Sequence, residues 1–398
     1  MVPASPARRT ALTVLRRVEE QGAFADRALH GDARELDPRD RALAKRLVFG
    51  TIQRRGTLDW IIARHVTRKL DPQVRAALLI GLYQLLYTDV PAHAAVAESV
   101  ELAKPSPGAK LVNAVLRKVQ REGVHLPSDD TPEGAAIVHS HPEWLTRMWW
   151  DWLGPDEARA LLAADNEPAE LALRINPLAG VDVDLKGRRE DDAIVVEGPI
   201  DVLAHPLYAA GAITPQSRAS QRVARALDPQ PGERILDVCA APGGKTTHVA
   251  ALMGDEGEIV AVEKHPQRAR ALEAQAKRLH ASSVNVHVGD AKDLTAGRLG
   301  GTFDRVLIDP PCSGLGTLRT HPDLRWRATP EAIEVLRREQ EAIVEAARGL
   351  LKPGGRLVYS TCTLSPREEV VDQGTVERTL PHRDGTDGFY IAVSDGDL

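Results

Sequence analysis

The stretch Ile235-Leu-Asp-Val-Cys-Ala-Ala-Pro-Gly-Gly-Lys-Thr-Thr247 decides how this chain is read. Arg234 to Cys239 is an apolar run of the kind that forms a buried parallel strand. Pro242, Gly243 and Gly244 force a tight turn, and from Lys245 onward the pattern is helical through Thr246, Val249, Ala250 and Leu252. A strand, a glycine-rich turn and a helix make a nucleotide-binding corner. There the backbone approaches a ligand closely and the first helical N–H groups are unpaired.

Downstream, the same rhythm continues. Strands are expected at 234–239, 258–263, 284–289, 303–309, 355–361 and 388–393, and helices at 245–253, 266–280 and 330–351. Alternation of this kind predicts a parallel, doubly wound α/β sheet with right-handed crossovers. Upstream, residues 5–125 read as an all-α bundle, with Leu12, Leu15, Val18, Leu43, Leu47, Val48, Leu78, Leu79, Leu82, Leu85 and Leu86 at helical spacing. Residues 123–143, with Pro127, Pro132 and Pro142, read as a linker. Helices are expected near 143–152 and 157–166, and short strands at 171–176 and 193–197. The cluster Trp144, Trp149, Trp150 and Trp152 fits packing better than base stacking, because it has helical spacing and an acidic flank. Three parts are therefore expected: a helical domain over 1–125, a linker with a small α+β domain over 126–210, and a Rossmann-like domain over 211–398.

The net charge of −5 hides an asymmetry. Residues 1–125 carry 21 Lys/Arg against 13 Asp/Glu, whereas 126–232 carry 9 against 18. A basic module on an acidic body points to a polyanionic partner touching the N-terminal part, although solvated Arg-rich helices give the same count. The longest uncharged apolar run, Ala76 to Thr88, is too short to span a bilayer, and Arg8, Arg9, Arg16 and Arg17 interrupt any signal-like segment. A cytoplasmic monomer is expected. Three cysteines, Cys239, Cys312 and Cys362, suit a reducing compartment and have no zinc-site spacing.

The ligand of the corner follows from the strand ends. A phosphate loop would need glycine at 239, where the chain has Cys, and the dinucleotide pattern of spaced glycines is missing from Ala240 to Lys245. Glu263 ends the second strand 18 residues after Lys245, where a carboxylate accepts ribose hydroxyls. Asp290 ends the third, placed for an adenine amino group. A corner with a ribose acid and an adenine acid but no pyrophosphate cradle suits S-adenosylmethionine.

Asp309-Pro-Pro-Cys-Ser-Gly314 follows the fourth strand and Ser360-Thr-Cys-Thr363 ends the fifth, at the sheet edge where ligands sit. This would bring Cys312 and Cys362 together near Asp309. Two thiols beside a methyl donor suggest methylation of a pyrimidine. Carbon 5 is a weak nucleophile until a thiolate adds to carbon 6, and a base must later remove the carbon 5 proton. Asp309 would bind the ring. An aromatic residue normally follows the Asp-Pro-Pro turn of amino-group methyltransferases; here Cys312 follows. Residue chemistry alone leaves open which thiol attacks.

With these motifs the chain resembles the bacterial RNA cytosine-5 methyltransferases of the NOL1/NOP2/Sun type, in particular the ribosomal RNA enzymes with a NusB-like N-terminal domain. The resemblance rests on Asp237 to Thr246, on Phe303-Asp-Arg-Val-Leu-Ile-Asp-Pro-Pro-Cys-Ser-Gly314, on Tyr359-Ser-Thr-Cys362 and on Val112-Asn-Ala-Val-Leu-Arg117. It implies methylation of a cytosine in small-subunit (16S) ribosomal RNA through a covalent cysteine adduct. It implies Cys362 as nucleophile and Cys312 in product release, with Asp309 at the reacting centre beside both cofactor and base. Cys239, Ala240, Ala241, Pro242, Gly243, Gly244 and Lys245 would line the methionine end of the cofactor, with Glu263 and Asp290 as above. An alternative is an RNA-binding assembly or antitermination factor with a degenerate methyltransferase domain, which retention of both thiols and Asp309 disfavours. The chain departs from the family at Pro310, commonly Ala, and at Ser217, commonly an acid. A shortened segment, Pro366–Val376, follows Cys362.

Overall fold

The computed structural model describes residues 4–396. The chain packs as two units: one runs to Glu167 and includes Leu318–Arg327, and the other comprises Pro168–Thr317 and the chain from Ala328.

The first unit is helical. Its elements are α1 (Pro6–Gln21), α2 (Ala25–Asp32), α3 (Pro38–Gln53), α4 (Arg55–Ala63), α5 (Pro72–Tyr87), α6 (Ala92–Ala103), α7 (Ala109–Glu122), α8 (Pro132–Val138), α9 (Glu143–Leu153) and α10 (Pro155–Ala164). Asp-Pro starts two of them. Asp37 accepts from the N–H groups of Arg39 and Asp40, and Asp71 from those of Gln73 and Val74, while Pro38 and Pro72 need no partner at the first helical position. α5 is the axis of the bundle: Val74 and every residue from Ala76 to Gln84 are buried. Residues 123–143 are more than a linker. Thr131 caps α8, and Thr57 Oγ1 donates to the Ile137 carbonyl at 2.6 Å, so this part of the chain is held to α4. Trp149 is fully buried, edge-on to His141, in keeping with a packing role for the tryptophans.

In the second unit, a four-stranded antiparallel sheet has the order β2-β3-β1-β4, built from β1 (Ala172–Ile175), β2 (Gly187–Glu190), β3 (Ala193–Val196) and β4 (Ile213–Pro215). The short helix α11 (Pro206–Ala209) lies between β3 and β4 in sequence. The larger sheet contains β5 (Arg234–Val238), β6 (Glu258–Glu263), β7 (Val284–Val288), β8 (Phe303–Ile308), β9 (Leu351–Thr361), β10 (Thr375–Thr379) and β11 (Phe389–Asp395), in the order β10-β11-β9-β8-β5-β6-β7. β5, β6, β7, β8 and β9 are parallel, whereas β11 and β10 are antiparallel. The sheet is thus mixed, not wholly parallel. β10, unexpected from the sequence, pairs through Glu377 and Arg378 at an edge, where one face stays wet and apolar alternation is weak.

Helices cover both faces: α12 (Arg218–Leu227), α13 (Gly244–Leu252), α14 (Pro266–Arg278) and α17 (Pro330–Arg348), with α15 (Ala296–Leu299), α16 (Leu324–Arg327, in the first unit) and α18 (Pro381–Asp384) as short turns. Alternate strand residues serve opposite faces. Leu236, Val238, Val306, Ile308 and Leu357 pack with Ile343, Val344 and Ala347 of α17, while Ile235, Leu307 and Val358 pack with Val223, Leu227, Val249 and Ala250 of α12 and α13. Ser217 caps α12 by accepting from the Ser220 N–H, which an acid at that position would also do.

Candidate active site

β5 delivers the corner. Cys239, at its end, has φ 64°, a left-handed conformation that costs a residue with a side chain about 1–3 kcal/mol. The following N–H, of Ala240, is held to the Val262 carbonyl at 3.0 Å. Gly243 has φ 100° and caps α13; a Cβ there would meet Leu272 Cδ1 at 2.5 Å, so both conformation and space require glycine. Ala240 and Ala241 are buried against Ala261 and Leu272, and Pro242 is exposed. Asp237 is buried beneath the turn and accepts from Thr246 Oγ1 at 2.6 Å. Burial pushes its carboxyl up to about 7, against that hydrogen bond.

Cys239, Glu263 and Asp290 line a cavity of about 180 Å³, together with Pro311 and Ile343. Glu263 is 2% exposed; one oxygen accepts from the His265 N–H at 2.8 Å and the other lies 3.5 Å from Arg268 Nε. Asp290 pairs with Lys264 at 2.8 Å, which together with other donors holds its carboxyl below the usual range. Two strand-end carboxylates opening on one cavity with apolar walls suit an adenosyl group. Burial pushes the Cys239 thiol up to about 12, so it meets a ligand as a neutral group.

Lys245 points elsewhere. Its Nζ donates to Asp309 Oδ2 at 2.7 Å and lies 5.1 Å from the centre of the Phe389 ring, while Ser360 Oγ donates to Asp309 Oδ1 at 3.1 Å. Burial lowers the Lys245 pKa, but the Asp309 carboxylate more than offsets it and the ammonium is stabilised. The sequence motif identified Lys245 as part of the corner, but only the tertiary structure shows it reaching across to β8.

The two later thiols do meet. Cys312 Sγ and Cys362 Sγ are 3.4 Å apart. The hydrogen bond to Cys362, then burial, holds the Cys312 thiol well above the usual range. Their loops are stitched to neighbouring strands: Gly316 N–H donates to the Cys362 carbonyl at 3.0 Å and Gly388 N–H to the Gly316 carbonyl at 2.7 Å. A Cβ on Gly316 would come within 1.9 Å of the Gly388 carbonyl oxygen.

Sequence reading missed Glu368 and Gln340. Glu368 ends a 3-10 turn inside the shortened segment. Gln340 lies on the apolar stripe of α17 with Ile333, Ile343 and Ala347, and a fully buried amide on such a stripe was the available signal.

This sheet order and site define a Rossmann-like methyltransferase preceded by a NusB-type helical region. The sequence model of the 16S rRNA methyltransferase RsmB/F family matches residues 224–378, and that of the NusB family matches residues 5–121. The chain belongs to the ribosomal RNA small subunit methyltransferase B family. It is 38% identical to the probable ribosomal RNA small subunit methyltransferase B of Synechocystis sp., over 94% of this chain and 89% of that one. It is 34% identical to the methyltransferase B of Vibrio vulnificus, over 97% and 98%. Among solved structures, the crystal structure of PH0851 superposes with a TM-score of 0.80 at 25% identity, over 98% of this chain and 99% of that one. NSun6 from Pyrococcus horikoshii, solved with SFG, superposes with a TM-score of 0.58 at 25% identity, over 64% and 98%.

Proposed function

We propose that this chain methylates carbon 5 of a cytosine in small-subunit ribosomal RNA, using S-adenosylmethionine, through a covalent bond between Cys362 and carbon 6. The observation that carries this reading is the pair of thiols 3.4 Å apart beside the Lys245–Asp309 ion pair. Glu263 and Asp290 would hold the ribose and adenine of the cofactor, and Cys239 to Gly244 would face its methionine end. When bound, the cofactor supplies an electrophilic methyl group on a sulfonium.

The residues then divide the work. Cys362 adds to carbon 6 as thiolate, its proton going to solvent, and the ring's electron pair moves toward carbon 5. The Lys245 ammonium favours the anionic sulfur by Coulomb attraction. Asp309, held by Lys245 and Ser360, accepts from the cytosine amino group and fixes the ring. After methylation, loss of the carbon 5 proton to a base restores the double bond and expels Cys362 as thiolate; Cys312 serves this release. The base reaches the thiol only if unpaired or flipped out of its stack. Exposed basic residues of α1–α7 would contact flanking phosphates.

The test is transfer of labelled methyl from S-adenosylmethionine to unmodified small-subunit RNA, followed by nucleoside analysis. Label in 5-methylcytidine is expected. Label in another nucleoside, or RNA binding without incorporation, would overturn the reading, the latter in favour of a non-catalytic RNA-binding factor.

A further inference from the structure

The loops that carry the two thiols come from different strands, yet the residues just after each cysteine meet on one buried carboxylate. Glu368 is fully buried. Its Oε1 accepts from the Ser313 N–H at 2.9 Å and from Gln340 Nε2 at 3.1 Å. Its Oε2 lies 2.5 Å from Ser313 Oγ and 3.1 Å from Thr363 Oγ1, and those two hydroxyls are 2.6 Å apart. Ser313 follows Cys312 and Thr363 follows Cys362. Gln340 also donates to the Pro311 carbonyl at 2.9 Å, so the Cys312 loop hangs from Glu368 and α17 on both sides of the thiol. Tyr359 fixes Glu368 in turn, donating to its carbonyl at 2.8 Å. Each of these partners is neutral. A buried carboxylate held by neutral donors alone is costly to desolvate, and a role in positioning accounts for keeping it.

We propose that Glu368 is a positioning residue for product release: it ties the Cys312 loop to the Cys362 loop so that Cys312 stays beside the adduct that Cys362 forms. This rests on the covalent reading above. Cys362 directly follows the last residue of β9 and stays with that strand, so the adduct still forms without Glu368. The Cys312 loop has one other backbone tie to the β9 side, from the Gly316 N–H to the Cys362 carbonyl, four residues beyond the thiol, whereas the Glu368 cluster holds the residue next to it. Loosening the cluster therefore slows release more than attack.

The experiment compares wild type, Cys312→Ala, Glu368→Ala and Glu368→Gln in single and multiple turnover on the same RNA. Displacement of a reacting group by about 1 Å lowers a rate about 100-fold, so Glu368→Ala should lose kcat on that scale. Its KM values should fall and not rise, and an RNA–protein adduct should accumulate on denaturing gels, as expected for Cys312→Ala. Glu368→Gln retains the acceptor for Ser313 N–H, and its amide donates to the two hydroxyls, so it should restore most of the rate. If Glu368→Ala does not fold, Ser313→Ala removes one tie and should show the same adduct with a smaller loss. Wild-type turnover and no trapped adduct in Glu368→Ala, with adduct present in Cys312→Ala, would overturn the positioning role alone. Absence of adduct in Cys312→Ala as well would overturn the covalent reading and this role with it. Equal loss of rate and of ligand affinity would also overturn it, by showing a general loss of structure.

Discussion

Asp237 has one oxygen bonded to Thr246 and the other buried without a hydrogen-bond partner among the described residues. Its pKa is raised by burial to about 7, so its contribution to stability is full below the ordinary carboxylate value and is lost as pH rises through about 7. Replacing it with Asn should therefore help more at pH 8 than at pH 5. The gain in unfolding free energy relative to wild type should grow by about 3 kcal/mol across that range. Denaturant unfolding at both pH values checks this; a difference independent of pH contradicts it. Several candidate site residues were legible in the sequence for chemical reasons. Cys312 and Cys362 follow strands that neighbour one another in the sheet, Cys239 follows the next, and Glu263 and Asp290 lie at the ends of the two beyond it. Lys245 and Glu368 could not be placed in the same way. Where a long side chain points, or which buried donors a carboxylate collects, depends on atoms remote in sequence.

At the level of elements, α16 and its approach show what sequence pattern misses. Leu318–Arg327 lies in sequence between two parts of the second unit but packs in the first. Arg325 is fully buried and donates to the carbonyls of Ser140 and Asp165 and to Asn166 Oδ1, each at 3.1 Å. Trp326 Nε1 donates to the Ile52 carbonyl at 2.8 Å. Burial lowers the Arg325 pKa to about 10, so the guanidinium stays charged at neutral pH. Arg325→Leu would remove the donor to the buried Ser140 carbonyl and Asn166 Oδ1, at a cost of about 3 kcal/mol. The unfolding transition of the first unit should move to lower temperature in calorimetry. An unchanged transition would contradict the structure of this segment. Nothing local to Arg325-Trp-Arg327 signals this burial, since the acceptors of Arg325 come from residues 140–166. By contrast, β5, β6 and β8 were readable because strands buried on both faces are mainly apolar, and the edge strand β7 because Val284, Val286 and Val288 alternate with Asn285 and His287.

At the scale of the molecule, the basic helices share one unit with residues 126–167, the first part of the acidic segment, so the positive charge is a feature of α1–α7, not of the unit as a whole. Deleting 1–125 would cut this unit between α7 and α8, and charge substitutions test the RNA role more cleanly. Lys110, Arg117 and Arg121 are exposed on α7 at spacings of seven and four residues, and so share one stripe. Replacing all three with Ala should weaken RNA binding and reduce the salt slope by about 2, at roughly 0.7–0.9 per phosphate contact. An unchanged slope would mean that the stripe is only solvated. The central claim concerns the reaction itself, and the most direct measurement is the covalent complex. Small-subunit RNA and S-adenosylmethionine are incubated with each cysteine variant and resolved on a denaturing gel. Cys312→Ala is expected to accumulate a covalent RNA–protein band and Cys362→Ala to form none and to lose methylation. A band from Cys362→Ala but not from Cys312→Ala would reverse the two roles, and no band from either would contradict the covalent mechanism.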